Sequence, residues 1–306
     1  MKKHLHALKL IPTFAIVALA LATLLSGCTT CCAQAKSPKR VLVVSTTTGF
    51  RHSCIPTMEK VLTEIAQKSG AFTVEFAGLD TATAEFKGAD GKPDNAKIKA
   101  AVAVVLANKM SAAALKNYDA VIFGNTTGDL PLPDPQAFVD WVKSGKGFVG
   151  IHSATDTFPK FQPYLDMIGG QFKTHGAQVE VDVINQDAKF PACSHIPASW
   201  KVFDEIYQLK GFERTNVHGL LTLDKHPNDK TPGDYPVAWC SNSGKGRVFY
   251  TSLGHREDVW DANYKDDKGE RKNSPEVALM YQQHLLGGIK WALGLEKGDA
   301  TPQVLK

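Results

Sequence analysis

The chain has 306 residues, 43% of them apolar, with 35 lysines and arginines, 31 acids and ten histidines. That length holds a sizeable core and one large or two small domains. Lys2, Lys3 and Lys9 precede residue 28 with no acid among them, so the remainder is close to neutral and lacks the clustered basic face of a nucleic-acid binder. The positive start and the apolar run from Ile11 to Leu25 read as an export signal, too short to span a bilayer comfortably.

The tetrad Leu25-Ser26-Gly27-Cys28 resembles a bacterial lipobox, so residues 1–27 are expected to be removed and Cys28 lipidated. Residues 28–38, small and polar, then form a tether, residues 39–297 the α/β domain and 298–306 a tail. A lipid anchor would be the chain's link to the membrane of the cell envelope. Thr29 after the cysteine, where an aspartate would signal inner-membrane retention, favours the outer membrane facing the periplasm. Beyond Cys31 and Cys32 in the tether, Cys54, Cys193 and Cys240 allow at most one internal pair and have no metal-binding spacing.

Val41 to Val44 form a first apolar strand ending in a Thr/Gly turn. Ile55, Met58, Leu62 and Ile65 then fall at helical spacing, with Gly70 as the stop. Phe72–Ala77 is a second strand, and the stretch from Thr81 to Ala114 reads as loop plus helix. "DAVIFGNTTGDL" is a third strand, "DPQAFVDWVKSG" a helix with Phe138, Trp141 and Val142 on one side, and "GFVGIHSAT" the next strand. Continuous apolar strands alternating with helices predict a parallel sheet covered on both faces. The second half differs. "AQVEVDVIN" alternates as a half-exposed strand, and "PVAWCSNSGKGRVFYTSLGH" predicts a hairpin. "DANYKDDKGERK" reads as an exposed insertion. A closing helix follows, with Ser274 placed to cap it and Pro275 in its first turn.

Ligands of open α/β sheets bind beyond the carboxyl ends of the strands. Those ends supply His52 after the first strand, Asn125, Thr126 and Asp129 after the third, and His152 and Asp156 after the next. The late hairpin strand supplies His255 and Glu257, and His175 lies in "GGQFKTHG". A histidine at one strand end can simply cap a carbonyl, but three such ends and a glycine-rich turn carrying one residue type point to a cleft. His195, His218, His226 and His284 lack such a setting. Cys54 could pose as a thiol nucleophile, although a small buried cysteine is the simpler reading. Trp260 either stacks on a sugar or closes the core.

"GFRH", "DAVIFGNTTGDL", "GKGFVGIHSATDTF", "GGQFKTHG", "PVAWCSNSGKGRVFYTSLGHREDVW" and the terminal "GGIKWALG" together resemble the ThuA-like (trehalose-utilisation) family, from about Arg40 to Gly294. The resemblance implies a flavodoxin-like, doubly wound and mostly parallel sheet related to class I glutamine amidotransferases, with helices on both faces and an added β-hairpin. It also implies a role in carbohydrate metabolism. Two segments depart from the family's pattern: the charged stretch after Trp260 and Ala188–Trp200 with Cys193. In the amidotransferases a G-x-C-x-G turn carries the nucleophile. Here Gly150-Ile151-His152-Ser153-Ala154 puts an imidazole where the thiol would be, which cannot form and release a thioester.

The leading expectation is an enzyme acting on a sugar, keto-sugar or glycoside. His152, His175, His255 and Glu257 would be its catalytic groups, and His52, Asn125, Thr126, Asp129, Asp156 and Trp260 would bind substrate. The histidines could move protons, or His152, His175 and His255 could hold a divalent metal such as zinc with a position open for water. The alternative is a sugar-binding lipoprotein without catalysis. The partner expected in either case is a small carbohydrate, and a homo-oligomer stays open.

Overall fold

A computed structural model describes residues 37–303 together with Met1. The export signal, Cys28 and most of the tether therefore lie outside the described residues. In chain order the elements are β1 (Lys39–Val44), α1 (Ile55–Ser69), β2 (Phe72–Ala77), α2 (Asn95–Met110), α3 (Ala112–Leu115), β3 (Ala120–Gly124), α4 (Pro135–Lys143), β4 (Gly147–Ile151) and α5 (Gln162–Ile168). There follow β5 (Gln171–His175), β6 (Val179–Asn185), β7 (Ser199–Asp204), β8 (Tyr207–Lys210), β9 (His218–Lys225), β10 (Pro232–Ser243), β11 (Gly246–Thr251), α6 (Glu257–Trp260) and α7 (Pro275–Ala292).

Among the described residues nine strands form one sheet in the order β2-β1-β3-β4-β11-β10-β9-β6-β7, and β5 pairs with β8 in a separate ribbon. The first five are mutually parallel and the rest antiparallel. This is the expected flavodoxin-like order, with its switch point between β1 and β3. The predicted hairpin is present as β10 and β11, turning at Gly244 and Lys245. It is only the start of the extension, because β9, β6 and β7 carry the sheet on.

Side-chain alternation in the parallel half feeds two cores. Val41, Val43, Ile122 and Phe249 pack on one side with α1 and α7, while Leu42, Val44, Phe123 and Tyr250 pack on the other with α2, α4 and α5. Continuous apolar strands are what burial on both faces requires. Gly287 and Gly288 let α7 lie close, since a Cβ there would come within 2.4 Å of Pro191 O and of the Phe249 ring.

One local reading changes. Ser274 stands at the N-cap of α7 but its hydroxyl makes no capping bond, leaving Pro275 as the start signal. Residues 299–303 of the predicted tail are docked on the sheet. His218 Nδ1 donates to Thr301 O at 2.9 Å, and Gln303 N donates to Val217 O at 3.1 Å.

Candidate functional site

The parallel register sets Gly124 of β3 and Thr251 of β11 beside Ile151 of β4. The next residues, Asn125, His152 and Ser252, therefore emerge side by side at the carboxyl ends. Asn125 (φ 53°) and His152 (φ 49°) both hold left-handed backbone, uncommon for residues with a Cβ. Such conformations persist where surrounding bonds over-determine them. Here Tyr250 Oη donates to His152 O at 2.7 Å, and Asn125 N to Ile151 O at 3.3 Å. His152 then opens a 3-10 turn through Asp156.

That turn aims the His152 ring into a polar cluster. Its Nδ1 faces Ser252 O at 2.8 Å. A carbonyl can only accept, so Nδ1 carries the proton and Nε2 is left with its lone pair. Nε2 lies 3.3 Å from His255 Nδ1 and 3.6 Å from Glu205 Oε1, and the last two atoms are 3.4 Å apart. His52 completes the group, so that one donor atom from each of His52, His152, Glu205 and His255 lies within 4.8 Å of the others. Its ring sits edge-on to both imidazoles, with centroids 4.9 Å from His152 and 5.2 Å from His255.

Burial, then the neighbouring imidazoles, lowers His52 to about 2 and His255 to about 4, so these rings stay neutral with lone pairs available. Burial pushes the Glu205 carboxyl upward, but the adjacent His152, His255 and His175 outweigh it and hold it below its ordinary value. Asp204, fully buried, is pushed up to about 6 by burial against the opposing pull of His152 and three backbone N–H groups. Those groups fix the loop: Gly254 N donates to Asp204 Oδ2 at 2.7 Å and His255 N at 3.4 Å, while Glu205 N donates to Oδ1 at 2.9 Å.

The structure brings His52, His152 and His255 into one ring of donor atoms. His175 stands just outside it, with Nδ1 2.9 Å from the other oxygen, Glu205 Oε2, and its side chain 44% exposed. Glu257 is not in the ring; it accepts from Ser53 Oγ at 2.6 Å at the start of α6. The carboxylate in the ring is Glu205, missed in the sequence. Trp260 must be corrected to a core residue: it is fully buried, its indole donates to Gly254 O at 2.8 Å, and it leaves no face for a sugar. Thr126 is buried and paired with Thr157 at 2.8 Å, whereas Asp129 is exposed and Asp156 half-buried. Asn125 Oδ1 is buried without a partner among the described residues. Cys54 is buried, its thiol donating to Gly254 O at 3.3 Å. Asp204 ends β7, and Glu205 and Tyr207, whose ring centroid is 4.3 Å from that of His152, come directly after it. β7 alternates exposed and buried positions instead of forming a continuous apolar run, so the break from apolar to polar that marked the other strand ends is weak here.

The sequence matches the family model described as "ThuA: Trehalose utilisation" over residues 40–267. No curated protein matches it. Among solved structures, a ThuA-like protein from Parabacteroides merdae is 20% identical, the alignment covering 88% of this chain and 94% of that one, with a TM-score of 0.57. Another, from Bacteroides uniformis, is 18% identical over 84% and 93%, with a TM-score of 0.56. At these identities the likeness concerns the fold, a mostly parallel central sheet with an antiparallel extension.

Proposed function

Since the chain belongs to the ThuA (trehalose utilisation) family and so to carbohydrate metabolism, we propose that it is a metal-assisted enzyme acting on a sugar, keto-sugar or glycoside. One observation carries the metal. Three donor atoms from His152, His255 and Glu205 form a triangle with sides of 3.3, 3.4 and 3.6 Å. A point roughly 2 Å from all three exists in such a triangle, which is the bond length of zinc to imidazole or carboxylate. The second layer agrees, because a ligating histidine usually gives its other N–H to a carbonyl, as His152 gives Nδ1–H to Ser252 O. Two histidines and a glutamate, with His52 as the fourth donor, suit zinc or a similar first-row divalent ion.

Such an ion polarises a carbonyl or hydroxyl oxygen and makes bound water acidic. The protein's own part is to hold His52 and His255 neutral by burial. His175, at the surface end of Glu205, orients that carboxylate. A histidine at the elbow excludes glutamine hydrolysis through a thioester. The proposed setting is the cell envelope, on a lipid at Cys28. Cys28→Ser should release the protein or leave its precursor uncleaved, and unchanged acyl labelling and membrane fractionation would count against the anchor.

The test is turnover of a panel of keto-sugars and glycosides by protein beginning at about Lys39, with and without chelation. Turnover that chelation abolishes and zinc restores is expected. Turnover indifferent to chelation would leave acid–base histidines without a metal. Binding without turnover would favour the sugar-binding alternative, and neither would refute the carbohydrate reading.

A further inference from the structure

We propose that Phe50 is the platform on which a sugar ring stacks at the mouth of the histidine–glutamate centre, an inference that rests on the carbohydrate reading above. Of the large hydrophobic side chains exposed among the described residues, Phe50 is the only aromatic, at 67%. Single exposed apolar residues are ordinary, but the backbone that carries this one is pinned. Thr127 Oγ1 donates to Phe50 O at 2.8 Å, and Thr48 N donates to Thr127 O at 3.1 Å, tying the loop after β1 to the loop after β3. Glycines make that approach possible. A Cβ on Gly49 would lie 2.9 Å from Thr127 Oγ1, and one on Gly128, at φ +80°, 2.6 Å from Thr48 Oγ1.

The ring on that backbone stands one side chain from the chemistry. Its centroid is 4.9 Å from that of His52, at 82°, and His52 touches both His152 and His255. His255 is 20% and His175 44% exposed, so polar groups reach solvent around the same centre. A ligand matching this mixture has an apolar face and a hydroxyl-bearing edge, which describes a pyranose. Its C–H face would lie on the phenyl ring while its oxygens turn toward the imidazoles. An aromatic side chain supplies such a surface rigidly, with little rotamer freedom to lose.

The experiment compares wild type, Phe50→Ala and Phe50→Trp by calorimetric binding of trehalose, glucose and methyl β-glucoside, or by KM where one is turned over, with zinc content measured in parallel. Phe50→Ala should weaken binding at least tenfold, about 1.4 kcal/mol, while Phe50→Trp retains it and zinc content is the same in all three. Equal binding by Phe50→Ala would overturn this inference and leave the proposed function standing. Loss of zinc in Phe50→Ala, or equal weakening in Phe50→Trp, would show that the ring merely packs His52 and would also overturn it. If wild type binds none of the three sugars, nor any of the keto-sugars and glycosides above, the carbohydrate reading and this inference fall together.

Discussion

His152 shows what a single residue must do at a strand-to-turn break. Its left-handed backbone turns the ring away from the sheet, and the Ser252 carbonyl fixes which nitrogen is bare. Histidines at strand ends were legible in sequence because the break from apolar to polar is local. Glu205 was not, because it follows β7, the far edge of the sheet, and only tertiary structure returns it to β4 and β11. Trp260 was ambiguous for a related reason, since an aromatic beside a histidine cluster reads alike in core and cleft. Cys54 keeps its sequence reading as a small buried residue. Burial first, then Glu257 and Asp204, pushes its thiol well above the ordinary range, so no thiolate is available. Cys54→Ala should retain activity and lose about 1 kcal/mol of stability. A loss of activity beyond roughly tenfold, with circular dichroism unchanged, would contradict this.

At the scale of elements, the parallel half was readable because strands buried on both faces are continuous apolar runs. The antiparallel half was read only as one hairpin and one alternating strand. Strand β9 (His218–Lys225) begins with histidine and glycine, and β7 is short and exposed at alternate positions, so neither gives a strong local signal. Besides the β10–β11 pairing, a link between the halves at the site is Asp204, which receives backbone N–H groups from the loop after β11 and from Glu205. An asparagine there offers one acceptor oxygen and would turn an N–H₂ toward another N–H. Asp204→Asn should therefore weaken zinc binding by about 10–100-fold, read by titration against a chelating dye, with the far-ultraviolet spectrum preserved. Unchanged affinity would mean that the loop positions His255 and Glu205 without it.

For the whole molecule, α7 couples the sheet to the segment around Cys193. His284 is fully buried on α7, with Nδ1 donating to Ala192 O at 2.8 Å, Nε2 unpartnered among the described residues and His195 nearby. Burial lowers its pKa to about 4 from the ordinary 6.5. Below pH 6.5 the unfolded chain takes up a proton that the folded chain refuses, so stability falls as pH drops toward 4. His284→Gln keeps an N–H donor without this titration. It should reduce the loss of stability between pH 7.5 and 5 by on the order of 1–2 kcal/mol, measured by urea unfolding. Parallel curves for the two proteins would refute the assignment. The central claim, that His152, His255 and Glu205 with His52 hold a divalent ion, is tested most directly by elemental analysis. Wild type and Glu205→Gln would be purified, incubated with zinc and passed through a desalting column. About one zinc per wild-type chain, falling at least tenfold in Glu205→Gln with the fold intact, is the predicted result; wild type retaining no more than background, or both retaining the same, would contradict it.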